Sequence, residues 1–336
     1  MFKKLIFSLM ALGLFYSELS AKAILCKANG QANYPYETVN GALYAAEAGD
    51  VVLVNGNIVN EKIILKDGVN INFNGFSLSN TNGEELVIDN GVQVNAKVIG
   101  LGKISSANTI GQRPVISLTG GSTVYFDLEE CVSAGSKIIN TTNGDTIYFS
   151  AKSIIQNGGT TNGMFMADKH SLIVVRNADI RTEGIGFMAD GRQEAGLPAR
   201  IVVENSTFYS KYGAFVQFTS NADVTIVDCR VQCDGVRAVV ILGGGTKKIT
   251  VKNTDIVSTQ TYLQAAYNAA NEPVFYSSVA DGDIRFVGTN TIKATGTSKP
   301  IGGPCTAKVL GKLYVNQAND AGVVASIEPI TVNAGI

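Results

Sequence analysis

One template recurs in IVVRNADI (173–180), IVVENSTF (201–208), VTIVDCRV (224–231) and ITVKNTDI (249–256). In each stretch, large apolar residues stand two apart, an Asn or Asp follows two positions later, and another apolar residue comes three positions beyond it. The four Asn/Asp positions are separated by 28, 23 and 25 residues. A period of this size is typical of a solenoid, in which each repeat forms one coil and contacts only its neighbours.

The composition of the chain favours β structure and speaks against some classes of partner. Of the 336 residues, 45% are hydrophobic and only 16% are charged, and Val, Ile, Thr and Asn dominate over helix-forming runs. The net charge is −1, with 27 basic and 28 acidic residues that stand singly along the chain. Nucleic-acid binding needs a one-sided basic field, so we expect no nucleic-acid partner.

The N-terminal residues 1–23 have the pattern of an export signal. Lys3 and Lys4 precede the apolar run 5–15, and Ala21-Lys22-Ala23 fits a small-x-small cleavage site. The run is too short to span a bilayer, so we predict a secretory signal peptide or, if it is retained, a hydrophobic N-terminal segment. The predicted location is secreted or cell-surface, with a virion as the alternative.

The rest of the chain divides into three predicted regions. Residues 24–56 form an N-terminal cap, irregular at 24–35 and then an amphipathic helix from Glu37 to Ala48 that Gly49 ends. Residues 57–296 form about nine coils of the solenoid. Residues 297–336 form a linker followed by a small C-terminal β element. One inward position per coil is predicted to be Phe73, Val98, Phe126, Phe149, Val175, Val203, Ile226 and Val251, with the ninth coil at 284–286.

The repeated Asn/Asp positions are predicted to be structural. Strand alternation, continued from the inward residues Ile173 and Val175, places the Asn/Asp side chain on the inward side at a corner. Stacked amides at such a corner can bond the turn backbone and each other. The predicted ladder consists of Asn177, Asn205, Asp228 and Asn253.

These features together resemble the pectate-lyase-like right-handed parallel β-helix superfamily over residues 37–296. The resemblance rests on a helix before the first strand, coils of roughly 25 residues, the Asn ladder, and glycine corners such as Gly100-Leu101-Gly102. It implies an all-β, single-stranded parallel β-helix. The superfamily includes lyases, polygalacturonase-type hydrolases, adhesins and phage tailspikes, so the resemblance is specific for fold and weak for function.

The sequence offers no complete catalytic set for the enzymatic branches. It lacks the Asp-Asp pair, the Gly-His-Gly and the Arg-x-Lys of the hydrolase pattern, and its single histidine, His170, stands between Lys169 and Ser171. The weak candidates for a lyase or glycosidase site are Asp168, His170, Asp190 and Arg192. No metal site is predicted, and calcium would be a cofactor only under the lyase alternative.

Exposed tyrosines offer an alternative, a glycan-binding site. Aromatic faces and hydrogen-bonding edges are suited to holding sugars. The candidates are Tyr209, Lys211 and Tyr212 at one corner and Tyr262 and Tyr267 in the long insertion 257–282. The same tyrosines could instead pack insertion loops onto the solenoid.

Three functions therefore stay open. The leading hypothesis is an extracytoplasmic binding or structural protein, of the adhesin or phage-spike type, that contacts surface polysaccharide or other virion or cell-surface proteins. A homotrimer formed through residues 300–336 would fit the spike version. The second hypothesis is a secreted polysaccharide lyase or glycoside hydrolase acting on an acidic polysaccharide. The third is a purely architectural subunit.

Overall fold

A computed structural model describes residues 21–30, 33–109, 111, 113–158, 163–191, 197–235, 237–261, 273–280, 282–294, 300–317 and 325–327. One helix, α1 (Val39–Ala45), lies near the N-terminal end of this part. Among these residues, no helix has the length and apolar character needed to cross a bilayer.

Within the described residues, thirty strands make up almost all of the regular structure. The first half comprises β1 (Ala23–Cys26), β2 (Tyr34–Tyr36), β3 (Val51–Val54), β4 (Ile58–Val59), β5 (Ile63–Ile64), β6 (Asn70–Asn72), β7 (Ser77–Asn80), β8 (Val87–Ile88), β9 (Asn95–Ser106), β10 (Ile116–Leu118), β11 (Thr123–Ser133), β12 (Ile139–Thr141), β13 (Thr146–Gln156), β14 (Phe165–Asp168) and β15 (Leu172–Arg176). The second half comprises β16 (Asp179–Thr182), β17 (Phe187–Asp190), β18 (Ala199–Glu204), β19 (Thr207–Ser210), β20 (Val216–Phe218), β21 (Ala222–Val227), β22 (Arg230–Cys233), β23 (Val239–Ile241), β24 (Lys247–Lys252), β25 (Asp255–Ser258), β26 (Phe275–Ser277), β27 (Gly282–Ala294), β28 (Ile301–Gly302), β29 (Thr306–Gln317) and β30 (Ala325–Ile327).

The strands form a parallel β-solenoid of about nine turns. A narrow sheet takes one strand from each turn, in the order β5-β8-β10-β12-β14-β17-β20-β23-β26-β28. A wide sheet takes from each turn either two strands, such as β15 and β16, which a corner at Asn177 separates, or one longer strand, such as β13. Each strand pairs in parallel with its counterpart one turn away, as β15 does with β18. The predicted all-β solenoid is therefore confirmed.

The N-terminal end is closed by a small antiparallel layer. Strand β1 lies between β2 and β3 and pairs antiparallel with both, so the prediction that residues 24–35 are irregular is wrong. Residues 1–20 of the predicted export signal lie outside the described residues, whereas Ala23 already belongs to β1. Strand β3 pairs in parallel with β6, which makes it part of the first turn.

Helix α1 is shorter than the predicted span. It begins after Thr38, whose hydroxyl accepts the Gly41 amide at 3.0 Å. It ends before Ala46, which has an extended backbone conformation. The ammonium of Lys66, from the next turn, donates to the carbonyls of Tyr44 and Ala46 at 2.9 and 2.5 Å. These contacts satisfy the helix C-terminus without the predicted stop at Gly49.

The parallel pairing continues beyond residue 296. Strand β28 pairs in parallel with β26, and β29 pairs in parallel with β27 along its whole length. Only β30 departs from the pattern, because it pairs antiparallel with residues Leu313–Val315 of β29. Residues 300–317 therefore add a further turn to the stack, and β30 lies against its last strand.

The interior is filled by stacked apolar side chains from successive turns. Phe165 and Phe187 stack with ring centroids 4.8 Å apart, and Phe187 meets Phe215 edge-on at 5.4 Å. Strands β14 and β17 carry the same tetrapeptide, FMAD, at 165–168 and 187–190, and pair residue for residue. Identical side chains at neighbouring positions bury apolar area at every turn and hold the register.

The predicted register of the coils is correct from Val98 onwards. Strand pairing places Val98 opposite Phe126, and the same line runs through each predicted equivalent to Val251 and then to Phe286. The first step is wrong by two residues, because Ile71 rather than Phe73 lies opposite Val98. Phe73 instead packs against Gly102, where a Cβ would lie 2.3 Å from the Phe73 side chain.

The ladder residues face outward, contrary to the prediction. Asn177, Asn205, Asp228 and Asn253 are all exposed. Their φ angles of 54°, 46°, 52° and 48° lie in the left-handed region, which Asn and Asp tolerate better than most residues. This corner shifts the alternation by one position, so the residue after each Asn or Asp is the buried one, as with Ala178 and Ser206. The amides do stack: Asn205 donates to Asn177 at 2.7 Å, and Asn253 to Asp228 at 3.1 Å.

Candidate functional site

A groove of about 600 Å³ runs across four consecutive turns on the outer face of the wide sheet. It crosses β16, β19, β22 and β25, the strands that follow the exposed corners, and these pair in parallel in that order. Its lining consists of Asp179, Arg181, Thr207, Phe208, Tyr209, Arg230, Val231, Gln232, Asp255 and Val257. The groove is open to solvent and crosses four strands, so an extended molecule can lie along it.

Strand alternation produces two columns of side chains in this groove. In β16, Ile180 is buried in the core, so Asp179 and Arg181 on either side of it point outward. The same alternation acts in β19, β22 and β25. The first column is Asp179, Thr207, Arg230 and Asp255, and the second is Arg181, Tyr209, Gln232 and Val257.

Hydrogen bonds fix one end of the groove. The Arg181 guanidinium donates to Oδ2 of Asp179, with Nε and Nη2 each at 3.0 Å. The Thr207 hydroxyl donates to the other oxygen, Oδ1, at 2.7 Å. Asp179 is therefore held by two neighbours that also line the groove, and its charge is matched by that of Arg181.

Asp234 holds the aromatic side chain at the centre of the groove. Its carboxylate accepts hydrogen bonds from the hydroxyls of Tyr209 and Thr259 and from the amide of Gln232, at 2.9, 2.8 and 3.0 Å. Burial opposes ionisation of Asp234, but these three donors outweigh it and hold the pKa of the carboxyl below its usual range. The Tyr209 ring is therefore fixed in place by an ionised acceptor before any ligand arrives.

Two charged side chains in the groove differ from the rest. The side chains of Arg230 and Asp255 make no hydrogen bond or ion pair within the described parts of the chain, although they lie in register on adjacent strands. Both are exposed. Their donors and acceptors are available to a ligand at the far end of the groove from Asp179.

The predicted glycan-binding residues divide between two places. Tyr209 lies in the groove, whereas Lys211 and Tyr212 lie in the turn after β19 and pair with each other, with the ammonium 4.8 Å from the ring centroid. That turn is tightly stacked: a Cβ on Gly213 would lie 2.3 Å from the Gly184 carbonyl carbon. Tyr262 and Tyr267 lie outside the described residues.

The predicted lyase residues lie at another corner, after the narrow sheet. Asp168 and Asp190 are opposite one another on β14 and β17. Asp168 is only 2% exposed and accepts the Lys169 amide at 2.7 Å, while Asp190 accepts the Ser220 hydroxyl. The sequence offered a direct sign of the Asp168–Asp190 proximity in the repeated FMAD tetrapeptide. Arg192 lies outside the described residues.

His170 and Lys137 complete the surroundings of this pair of acids. The imidazole of His170 packs so closely over Gly144 that a Cβ there would lie 2.6 Å from Nε2, and its Nδ1 is buried with no hydrogen-bond partner in the part of the chain that the structure describes. Burial lowers the pKa of Lys137, against the opposing charge of Asp168. Within the described residues, no cluster of three or more His, Cys, Asp or Glu side chains could hold a metal ion.

Comparison with known proteins adds no assignment to this geometry. No family model matches the chain, and neither the curated proteins nor the solved structures show a significant match to it. Function must be argued from the side chains themselves.

The groove could have been found from the sequence by reading the template further. The first column lies within the four repeated stretches, at Asp179, Thr207, Arg230 and Asp255. Each residue of the second column is the one that directly follows a stretch. Unbroken alternation places the Asn at the corner inside, and it therefore assigns the residues after the corner to the wrong face of the sheet. Allowing for the left-handed corner residue assigns both columns to the surface.

Proposed function

We propose that this protein is an extracytoplasmic binding solenoid of the pectate-lyase-like right-handed β-helix type, and that the groove over β16, β19, β22 and β25 holds a glycan chain. The observation that carries the proposal is the pair of outward columns running unbroken over four turns. They combine one aromatic ring with carboxylate, guanidinium, hydroxyl and amide groups. Such a mixture matches the alternating apolar and hydroxyl-bearing surfaces of sugars.

Pre-organisation supports binding by this surface. Asp234 holds Tyr209, and Asp179 holds Arg181 and Thr207, so these side chains lose little rotational freedom when a ligand binds. Ordering a long side chain otherwise costs about 0.5–1.5 kcal/mol on association. A groove already ordered in this way avoids much of that cost.

The placement of the carboxylates favours binding over cleavage in the groove. Asp179 and Asp255 are three strand spacings apart, which corresponds to about 14 Å along the sheet. Inverting glycosidases need two carboxyls about 6.5–9.5 Å apart and retaining ones about 5–5.5 Å. The two groove acids cannot flank a single glycosidic bond.

A glycan array tests the proposal. Wild-type protein should bind a restricted set of glycans, and Tyr209→Ala should abolish that binding because it removes the aromatic ring of the two outward columns. The matched control is Tyr125→Ala, which removes a tyrosine that is 42% exposed on β11, away from the groove. Retained binding by Tyr209→Ala, with a wild-type melting temperature, would rule out the groove as the site.

The adhesin and phage-spike versions of this proposal share the groove and differ in assembly. A spike protein is expected to associate through residues 300–336 as a homotrimer, whereas an adhesin need not. Light scattering of the full chain distinguishes them by mass. A chain that binds no glycan and only assembles would support the purely architectural role.

One observation favours the second candidate, a polysaccharide lyase or glycoside hydrolase. Asp168 and Asp190 lie in register on adjacent strands, beside His170. The test is incubation with acidic polysaccharides, with ultraviolet detection of unsaturated ends and a reducing-end assay for hydrolysis. Activity lost in Asp190→Asn would support the enzyme, and absence of both products would remove this candidate.

A further inference from the structure

The formal charges of the groove lining sum to zero, and each arginine lies beside an aspartate. The lining contains two Asp and two Arg. Arg181 is bonded to Asp179 on the same strand, and Arg230 lies in register beside Asp255 on the next strand. The Tyr209 hydroxyl donates to a further carboxylate, that of Asp234. A chain of anionic sugars would therefore meet carboxylates at both ends of the groove and a third bonded to its central tyrosine, without a net positive charge to offset them.

From this arrangement we infer that the groove takes an uncharged glycan, lying along the solenoid axis with one sugar to each strand. The inference rests on the proposed function and narrows it to a class of ligand. Uncharged sugars present only hydroxyl and ring oxygens, which both donate and accept. Guanidinium groups donate, carboxylates accept, and the Thr207 hydroxyl and the Gln232 amide do both, so every polar group of the groove has a sugar hydroxyl to meet.

The direction of the chain follows from the strand spacing. The outward pairs recur at each strand, about 4.8 Å apart along the axis, a spacing close to the length of one pyranose ring. Strands β16, β19 and β22 each offer two outward side chains that can form hydrogen bonds. The last strand, β25, offers Asp255 and the apolar Val257. Each strand contributes just two outward residues to the groove, so this repeat exists along the solenoid axis and not along a single strand. The ligand chain is therefore expected to run parallel to the axis, across the strands.

Arg230 has the largest expected role in this arrangement. It lies at an interior position of the first column, it is exposed, and the described residues give it no partner. Its guanidinium can donate to hydroxyls on two neighbouring sugars. Because no bond within the groove is broken by its removal, Arg230→Ala should leave folding unchanged.

Titration calorimetry with defined oligosaccharides tests the inference. The probes are gluco-, manno- and galacto-oligosaccharides from the monosaccharide to the hexasaccharide, with oligogalacturonates of the same lengths as the acidic set, each at low and high salt. We expect a neutral series to bind, with affinity that rises to about four units, one for each of the four strands, and then levels off. That affinity should be insensitive to salt, because no charge is neutralised.

Two arginine variants locate the binding. Arg230→Ala should weaken binding of the neutral series roughly tenfold, the loss expected when hydrogen bonds to a charged donor are removed. The matched control is Arg200→Ala, an exposed arginine on β18 that does not line the groove. Equal effects of the two variants would place the ligand elsewhere and overturn the inference.

The remaining outcomes separate this inference from the proposed function. Tighter binding of oligogalacturonates, weakening as salt is added and lost in Tyr209→Ala, would overturn the uncharged class while the glycan-binding groove stands. Binding of neither set would overturn both. A neutral series whose affinity does not grow beyond a single sugar would overturn the axial arrangement.

Discussion

The corner between β15 and β16 and the corner between β10 and β11 both redirect the chain, but an exposed amide holds the first and a buried carboxylate holds the second. At the first, Asn177 is exposed in a left-handed conformation and its amide stacks on Asn205 of the next turn. At the second, the buried carboxylate of Asp89 accepts the amides of Thr119 and Gly120 and the hydroxyl of Ser122.

The difference shows what each corner requires of its residue. Where water reaches the turn, unpaired backbone groups are already hydrated, and the residue needs only to tolerate a positive φ. Where water is excluded, each amide needs an acceptor from the protein, and a carboxylate can serve several at once. The groove begins directly after the exposed corners, so its side chains can vary without affecting these buried bonds.

The largest effect on stability is expected at the corner between β10 and β11, which the buried carboxylate of Asp89 holds. Asp89→Ala removes the acceptor of the Gly91, Thr119 and Gly120 amides, the first at 3.0 Å and the last at 2.8 Å, and should lower the free energy of unfolding by about 3 kcal/mol or more. Denaturant unfolding measures it. The control is Asp67→Ala, because Asp67 is exposed and accepts only the backbone and side-chain amides of the single residue Asn95 among the described residues. Similar losses in the two variants would contradict the contrast between the corners.

A smaller effect is expected at the exposed corner. Asn205→Leu places a branched side chain at a φ of 46° and should cost about 1–2 kcal/mol, because the left-handed region is unfavourable for L-residues other than Gly and Asn. Asn205→Gly removes the same amide but accepts that conformation, so it should cost much less. Thermal unfolding of both variants decides the cause. If glycine costs as much as leucine, the bond to Asn177 rather than the backbone is the reason.

The third prediction is that the stability of the protein depends on pH between about 4 and 6, because of Asp145. Burial raises the pKa of Asp145, which accepts the Ser122 and Thr142 amides, to about 6. The folded state then binds this proton more tightly than the unfolded state, whose pKa is near 4, so stability falls as pH rises between these values. Asp145→Asn should remove this slope in unfolding measured across that range. Parallel pH profiles of variant and wild type would contradict the raised pKa.

Asp50, at the N-terminal cap, provides the opposite sign in the same measurement. Hydrogen bonds from Lys27 and from the Glu47 and Ala28 amides lower its pKa to about 2. Its contribution is complete above the unfolded pKa near 4 and is lost as pH falls towards 2. Acid unfolding below pH 4 should therefore be less steep in Asp50→Asn, and an unchanged slope would contradict the prediction.

The sequence predicts the period of this fold better than its surface. Apolar alternation and the Asn/Asp spacing suffice for the solenoid and for its register from Val98 to Val251, because burial penalises any slip of one residue. The predicted helix from Glu37 to Ala48 was too long, because Lys66, a residue of the following turn, caps it early. The helix propensity of a segment does not predict contacts with residues of another turn.

The same limit explains what was missed at the candidate site. A positive φ at Asn177 moves the alternation by one position, and pattern analysis with a constant period of two cannot register such a step. The sequence pattern therefore predicts Tyr209 as a sugar-binding residue but not the groove in which it lies. The proximity of Asp168 and Asp190 also arises from stacking, 22 residues apart in sequence, rather than from a local motif.

The identical FMAD tetrapeptides of β14 and β17 have an evolutionary consequence. A turn that bonds only to the turns above and below can be copied or deleted in the gene without repacking the remainder of the rod. Any column of outward residues is lengthened or shortened by the same event. In such a scaffold the reach of a surface site is inherited as a number of repeats, and it can change in a single genetic step.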